Sequence, residues 1–253
     1  MPGSKRRTDA ASRPKEARHG LARVLSKRGL CSRSDAEKLI RAGRVLLDGR
    51  IVRDPEFPTR ADAARIVIDG AQADSLARRH LVLNKPRGLV TTARDERGRD
   101  TVYRCFDGAD LGWIAPVGRL DKASEGLLLF TNDPQWAARI TDPGTGPSKT
   151  YHVQVDRIPD ASALAAMLHG VRDGDDDLRA TSAALLRTGA KNAWLEIVLD
   201  EGRNRQIRRL LAAFDIGVLR LVRVAIGPLA LGELPKGQWR ELSAEEVAAL
   251  GGG

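Results

Sequence analysis

The sequence predicts an α+β protein in two parts, a small basic module followed by a larger domain. Three observations lead there. The first seventy residues hold seventeen Lys and Arg against nine Asp and Glu, a net of +8, whereas the whole chain carries +9. Apolar residues recur at helical spacing in some stretches (Ile207, Leu210, Leu211, Phe214) and at strand spacing in others (Tyr151, Val153, Val155). Finally, Leu127 to Phe130 is a continuous apolar run too short for a helix, bounded by Gly126 before it and Asn132, Asp133 and Pro134 after, which predicts a buried central strand.

Composition narrows the functions open to it. A basic balance confined to one segment is an electrostatic footprint for a polyanion, and arginine suits phosphate contacts. Aromatic residues make up only 4% of the chain, so recognition should rest on phosphates and the shape of the polyanion rather than on base-stacking platforms. No run reaches the length of a membrane span and no apolar signal-peptide core is present, so a cytoplasmic protein is expected. Cys31 and Cys105 lie far apart and read as reduced thiols. His19, His80, His152 and His169 are scattered without ligand spacing, so no metal is expected. Asp173, Asp175 and Asp177 alternate like the start of a calcium loop, but Leu178 stands where that loop needs glycine, and a solvated turn is the better reading.

In chain order, residues 1–18 are rich in Arg, Lys, Ser and Pro with little to bury, and read as a disordered basic tail, for solubility or for contact with a polyanion. Residues 19–70 form the module. Leu21, Val24 and Leu25 follow helical spacing up to Gly29. Ser34 and Glu37 form a capping-box pattern for a second helix with Leu39 and Ile40 inside and Gly43 as its stop. Arg44 to Leu47 and Arg50 to Val52 flank Asp48 and Gly49, the dipeptide a type I′ hairpin turn prefers. A third strand, Arg65 to Ile68, ends at Asp69 and Gly70. Residues 71–79, with small side chains and little periodicity, are assigned as linker.

Residues 80–250 make the larger domain. A strand through Leu81 to Leu83 leads into a Pro-Gly turn, Asn84-Lys-Pro-Arg-Gly88, from which Lys85 and Arg87 are candidate phosphate contacts. Residues 118–133 read Gly-Arg-Leu-Asp-Lys-Ala-Ser-Glu-Gly-Leu-Leu-Leu-Phe-Thr-Asn-Asp. Gly118 allows a sharp path, so that Arg119 and Asp121 can project from a loop that Leu120 anchors. An aspartate so placed also suits a plain surface ion pair. Asp133 can cap a helix with Pro134 in its first turn and Trp136 and Ile140 on one face. Lys149 to Val155 alternates as a strand, with Tyr151 on its apolar side, where a core tyrosine is the ordinary explanation. A helix over 161–168 and a strand from Ala193 to Leu199 follow. In the run Arg203 to Phe214 a helix is expected, with Arg208 at the edge of its buried stripe and Arg205 and Arg209 toward solvent or a polyanion. A strand Val218 to Ile226, a break at Pro228, a core Trp239 and a capped helix from Ser243 complete the domain.

These motifs carry a resemblance. Gly-Arg-Leu-Asp followed by Gly-Leu-Leu-Leu and Thr-Asn-Asp resembles the active-site motif of pseudouridine synthases of the RsuA/RluB type, and the Lys-Pro turn, the strand tyrosine and the Gln-Ile-Arg run resemble further motifs of that family. Residues 19–70 resemble the RNA-binding module named after ribosomal protein four of the small subunit, which many of these enzymes carry. The resemblance covers residues 20 to 242. It implies an α+β catalytic domain with a mixed, mainly antiparallel sheet and a central cleft. It also implies Asp121 as the catalytic carboxylate, Tyr151 as the residue beneath the target uracil and Arg208 as the ion-pair partner of Asp121. Arg119 would take the place of a base flipped from the RNA stack. Arg23, Lys27, Arg28, Arg33, Lys38, Arg41 and Arg44, with Lys85, Arg87, Arg203 and Arg205, are the expected RNA contacts. The expected reaction is isomerisation of uridine to pseudouridine, without cofactor, by a monomer acting on ribosomal RNA or an assembling ribosomal subunit. The run Arg97 to Val102 looks more like large-subunit than small-subunit enzymes. Two rivals remain: a non-catalytic RNA-binding or ribosome-assembly protein, and a glycosidic hydrolase using Asp121 with Glu125 as a carboxylate pair.

Overall fold

A computed structural model describes residues 18–60, 64–73, 76–93 and 95–251. The expected basic tail, apart from Arg18, lies outside these residues. The described residues fall into two compact units, one built from 18–28 with 32–73 and the other from 29–31 with 76–251.

In the smaller unit, helices Leu21–Lys27 and Arg33–Arg41 bury Leu21, Leu25, Ala36 and Ile40 completely. Helices this short are not stable alone, so packing holds them. The second helix is capped by Ser32, whose hydroxyl accepts from the Asp35 amide at 3.1 Å, and not by Ser34. Starting earlier leaves Glu37 free to pair with Arg33 and Arg41 along the helix. The expected hairpin joins Val45–Leu47 to Arg50–Ile51 through Asp48 and Gly49, which have φ of 49° and 82°, as a type I′ turn requires. Asp69 and Gly70 repeat that geometry, φ 50° and 81°, and return the chain from Ile66–Ile68 into a strand Ala71–Gln72. The stretch expected as linker therefore begins with a paired strand.

The larger unit is organised on a nine-stranded sheet, mixed but mainly antiparallel. Its main path runs Ser182–Thr188, Ala193–Leu199, Lys149–Val155, Val218–Ile226, Glu125–Thr131, His80–Lys85, Trp239–Glu241. Leu229–Ala230 adds to Val218–Ile226, and Ala115–Val117 to Glu125–Thr131. The parallel contact is brief, Val222 to Glu125 and Arg223 to Gly126. Beyond it the sheet forks, because Ala115–Val117 takes over that side of the central strand. Gly126, at φ 99°, is required at the fork, since a Cβ there would collide with the Arg223 backbone.

The central strand explains its own sequence. Leu128 and Phe130 pack into one core with Leu83, Val153, Leu195 and Ile207, while Leu127 and Leu129 pack into another with Val82, Trp136, Ile140 and Leu250. Both faces are covered, so the strand is apolar throughout instead of alternating. Each fully buried leucine contributes about 1.5–3 kcal/mol. Helix Pro134–Thr141 seals the second core, capped as expected by the Asp133 carboxylate, which accepts from the amides of Gln135 and Trp136. Helix Ala244–Ala249 begins with a full capping box between Ser243 and Glu246. Trp239 is partly buried and packs on Phe106, as expected of a core residue.

Candidate active site

The loop from Gly118 to Ser124 joins two neighbouring antiparallel strands, with Val117 registered on Leu129, so both of its ends are fixed by the sheet. Gly118 turns the chain at φ 72°. Leu120, 7% exposed, anchors the loop in the core, and the Thr91 hydroxyl donates to its carbonyl at 2.7 Å. Two further groups reach the loop from the Pro-Gly turn. The Gly88 amide donates to Lys122 O at 2.8 Å, and Lys85 Nζ donates to Ser124 O at 2.8 Å and Asp121 O at 3.2 Å. Lys85 also reaches Pro86 O and is fully buried, so it is no phosphate contact. Its role is to tie the strand His80–Lys85 to the Asp121 loop. Burial lowers its pKa to about 8, despite the charges of Asp121, Cys105 and Glu125.

This loop forms one wall of a cleft of about 580 Å³, within the range of small-ligand sites. Arg119 and Asp121 line it, as do Tyr151, Lys149 and Arg223 from neighbouring strands and Arg203 and Arg205 from the turn before a helix. Asp121 is about one-third open to solvent. Tyr151 lies on the face of its strand that carries Val153 and Val155, as its spacing predicts. The structure thus brings Asp121, Tyr151, Arg119 and Arg205 to one cleft.

Arg208 is placed differently from expectation. The helix expected from Arg203 begins at Gln206, because Arg205 takes a left-handed conformation (φ 49°, ψ 32°) as its N-cap. Arg205 Nη1 thereby lies 3.6 Å from Asp121 Oδ2. Arg208, a turn later, is half-buried, donates to Val218 O at 3.3 Å, and leaves Nε buried without a partner. Burial and the charge of Arg205 lower its pKa, with Asp121 acting in the opposite direction. Arg208 feels Asp121, but the ion pair belongs to Arg205. Arg209, expected toward solvent or RNA, instead binds Asp173 at 2.5 Å and Asp176 at 2.7 Å, and Arg203 binds Asp176 and Glu201. In the Val171–Asp173 and Asp176–Leu178 hairpin, Asp173 and Asp176 therefore serve arginines, and no cluster suited to a metal occurs among the described residues.

Glu125 cannot partner Asp121 in hydrolysis. It is 3% exposed and held by Arg220 at 2.8 Å and by Lys236. Burial would raise its pKa, but those hydrogen bonds and charges outweigh it and hold the carboxyl below its usual value.

In the smaller unit most of the expected RNA contacts already have intramolecular partners. Arg33 and Arg41 pair with Glu37, Lys38 with Asp35, Arg44 with Asp69, and Arg28 donates to Ala64 O. Arg23 is exposed and Lys27 sits 3.4 Å from His19, whose pKa Lys27, burial and Arg23 lower. Those two cations have no carboxylate within salt-bridge distance among the described residues. In the larger unit Arg87 is likewise exposed.

The sequence reading missed Lys149 and Arg223. Lys149 stands two residues before Tyr151 on the same strand, and Arg223 is the registered neighbour of Tyr151. Strand alternation alone could have placed Lys149 on the cleft side.

A sheet-borne cleft with a loop aspartate, a strand tyrosine and arginines facing it, in a chain that also carries a compact basic module, defines an RNA-modifying enzyme. Residues 79–213 match the model of the RNA pseudouridylate synthase family, and residues 20–70 match that of the S4 domain. An uncharacterized RNA pseudouridine synthase of Aquifex aeolicus is 37% identical over 231 residues, covering 91% of this chain and 92% of its own. One of Mycobacterium tuberculosis is 37% identical over 241 residues, 91% of this chain and 92% of its own. A solved pseudouridylate synthase superposes with a TM-score of 0.64 at 31% identity, covering 92% of this chain and 99% of the other. The chain belongs to the RNA pseudouridine synthase family, with an RNA-binding S4 domain ahead of the synthase domain, and is an isomerase acting on RNA.

Proposed function

We propose that the chain converts a specific uridine of ribosomal RNA, in the large subunit, to pseudouridine, with Asp121 as the reacting carboxylate. The observation that carries the catalytic assignment is the position of Asp121 in the cleft. Its backbone is clamped by Lys85 from one side while its carboxylate stays open to the cleft that Tyr151 also lines. A carboxylate fixed in this way needs little reorganisation to meet a ribose carbon or a ribose hydrogen. In the same cleft, Tyr151 offers a ring on which a uracil can rest. Arg119, exposed on the same loop, has the planar group suited to fill the gap left by a flipped base. Arg205 balances the Asp121 charge before RNA arrives and can pass to a phosphate afterwards, since both side chains of this pair are partly open to solvent.

The reaction breaks the bond from ribose C1′ to uracil N1 and joins C1′ to C5; the C5 proton leaves and N1 gains one, so nothing is added overall. Support for ribosomal RNA comes from the S4 domain and from Arg97 to Val102, whose pattern resembles large-subunit enzymes. We place the protein, as a monomer, in the cytoplasm during ribosome assembly. Tritium release from rRNA labelled at uracil C5, measured on each subunit's RNA separately and with Asp121→Ala alongside, tests it. Release from large-subunit RNA by the wild type alone is the expected result; release from small-subunit RNA alone would move the target, and equal release by Asp121→Ala would overturn the carboxylate assignment.

A further inference from the structure

We propose that Lys149 and Arg223 hold the carbonyl edge of the target uracil and take up its negative charge as its bond to ribose breaks. This rests on the pseudouridine synthase reading of the cleft. Lys149 and Tyr151 are two residues apart on one strand, Arg223 is the registered neighbour of Tyr151 on the next, and all three line the cleft with Asp121. A base resting on Tyr151 therefore meets both cations.

Neither cation is accounted for by the fold alone. Arg223 is 5% exposed; its Nε closes the sheet fork by donating to Leu127 O at 2.7 Å, but its Nη2 is buried with no partner. Lys149 has no carboxylate within salt-bridge distance among the described residues, and its pKa is lowered first by burial and then by the charge of Arg223, with Asp200 acting the other way. Two neighbouring cations, one of them with an orphaned donor, are unfavourable until an acceptor or a negative charge arrives between them.

Uracil supplies both. When C1′ separates from N1 the electron pair stays with the base, and its charge spreads over N1, O2 and O4. Ribose C1′ is meanwhile taken by an Asp121 oxygen, or its neighbour C2′ gives Asp121 a proton. Lysine and arginine are donors only, so they match the carbonyl oxygens of the bound base and bind them more strongly as charge develops. They also select the base, since cytosine presents an amino donor where uracil has O4, and two donor-only groups leave that amine unpaired.

The test uses the full chain. Proton NMR titrations with uridine, cytidine and uridine monophosphate compare wild type with Lys149→Gln and Lys149→Arg. Wild type should prefer uridine to cytidine by about tenfold; Lys149→Gln should lose that preference and Lys149→Arg keep it. On RNA, Lys149→Gln should lower kcat about a hundredfold with a smaller change in KM. That loss should shrink, read as single-turnover disappearance of the N1-linked nucleoside, when the target is 5-fluorouridine, whose base leaves more readily but which has no C5 proton to lose and so gives no pseudouridine. If Lys149→Gln weakens only the monophosphate and leaves the uridine-to-cytidine ratio intact, the cations hold a phosphate and the proposal is overturned. An equal loss of that single-turnover rate on uridine and 5-fluorouridine overturns the leaving-group role. Should the wild type make no pseudouridine from any RNA while the uridine preference stands, the enzymatic reading fails and the base-binding assignment survives.

Discussion

Lys85 Nζ donates to the backbone carbonyl of Asp121 at 3.2 Å, so the loop aspartate is gripped through its main chain by a fully buried cation. Its carboxylate is left free for other partners. Lys85 is a positioning residue, and its removal should act on geometry before chemistry.

Lys85→Met would leave Ser124 O and Asp121 O without their donor, at a cost of about 1–3 kcal/mol. The pH dependence has a definite sign. With a folded pKa of about 8 and an unfolded value of 10.5, the unfolded chain binds more protons between those limits, so this lysine's contribution to stability rises as pH rises from about 8 toward 10.5. Below pH 8 both states are protonated and the contribution is constant. Urea denaturation of wild type and Lys85→Met at pH 7.5 and 9.5 should show the gap between them widening at the higher pH; a narrowing gap would contradict the buried ammonium.

Asp121→Asn should abolish pseudouridine formation while leaving stability within about 0.5 kcal/mol, because the ion pair the carboxylate makes is a long contact to a half-exposed arginine. RNA affinity should be retained. Nucleoside analysis of treated RNA, paired with a binding isotherm, checks both; parallel loss of binding and product would remove the chemical role.

Glu125→Gln should leave the product unchanged and lower stability. The cost is about 2 kcal/mol, less than the ~3–5 kcal/mol of a fully buried pair, because the Arg220 and Lys236 side chains are 37% and 55% exposed and can rehydrate. Since the Glu125 pKa is held below its usual value, its contribution is present above the usual carboxylate range and is lost as pH falls through the folded pKa. The stability gap between wild type and variant should therefore close on acidification. Pseudouridine formation that vanished with Glu125→Gln, or the appearance of free uracil with wild type, would restore the hydrolase reading.

In the S4 domain, Arg23→Ala and Lys27→Ala should reduce the salt dependence of RNA binding by about one counterion each. Arg44→Ala should reduce it less, because Asp69 already neutralises Arg44 in a two-point contact. Binding measured from 50 to 300 mM salt separates these; a larger change for Arg44→Ala would mean that the internal pair opens on RNA.

The fold was legible wherever local chemistry and packing agree. Leu127 to Phe130 announced the central strand because both of its faces are buried, and Asp48 with Gly49 announced a turn that only residues tolerant of positive φ can make. Asp121, Arg119 and Tyr151 were singled out through their motifs, and all three line the cleft. Ser32 was passed over because Ser34 and Glu37 also satisfy capping spacing, and only the path of the chain decides between two nearby serines. Lys85 looked like a surface cation because the carbonyls that enclose it come from residues 36 and 39 positions further along. Arg205 and Arg208 exchanged places because nothing in a run of arginines marks which one turns left-handed. The Ala71–Gln72 strand was hidden by its small side chains, although the Asp-Gly pair before it repeats the earlier hairpin signal.

The sheet order has a consequence for synthesis. Trp239–Glu241 pairs with His80–Lys85, more than 150 residues earlier in the chain. While the polypeptide is being made, the far side of His80–Lys85 stays an open edge long after its partner Glu125–Thr131 has emerged, so a nascent chain must wait, holding a strand of buried leucines and valine, until nearly all of the domain has left the ribosome. Closing that edge therefore comes late in synthesis, well after both strands that hold the Asp121 loop have emerged.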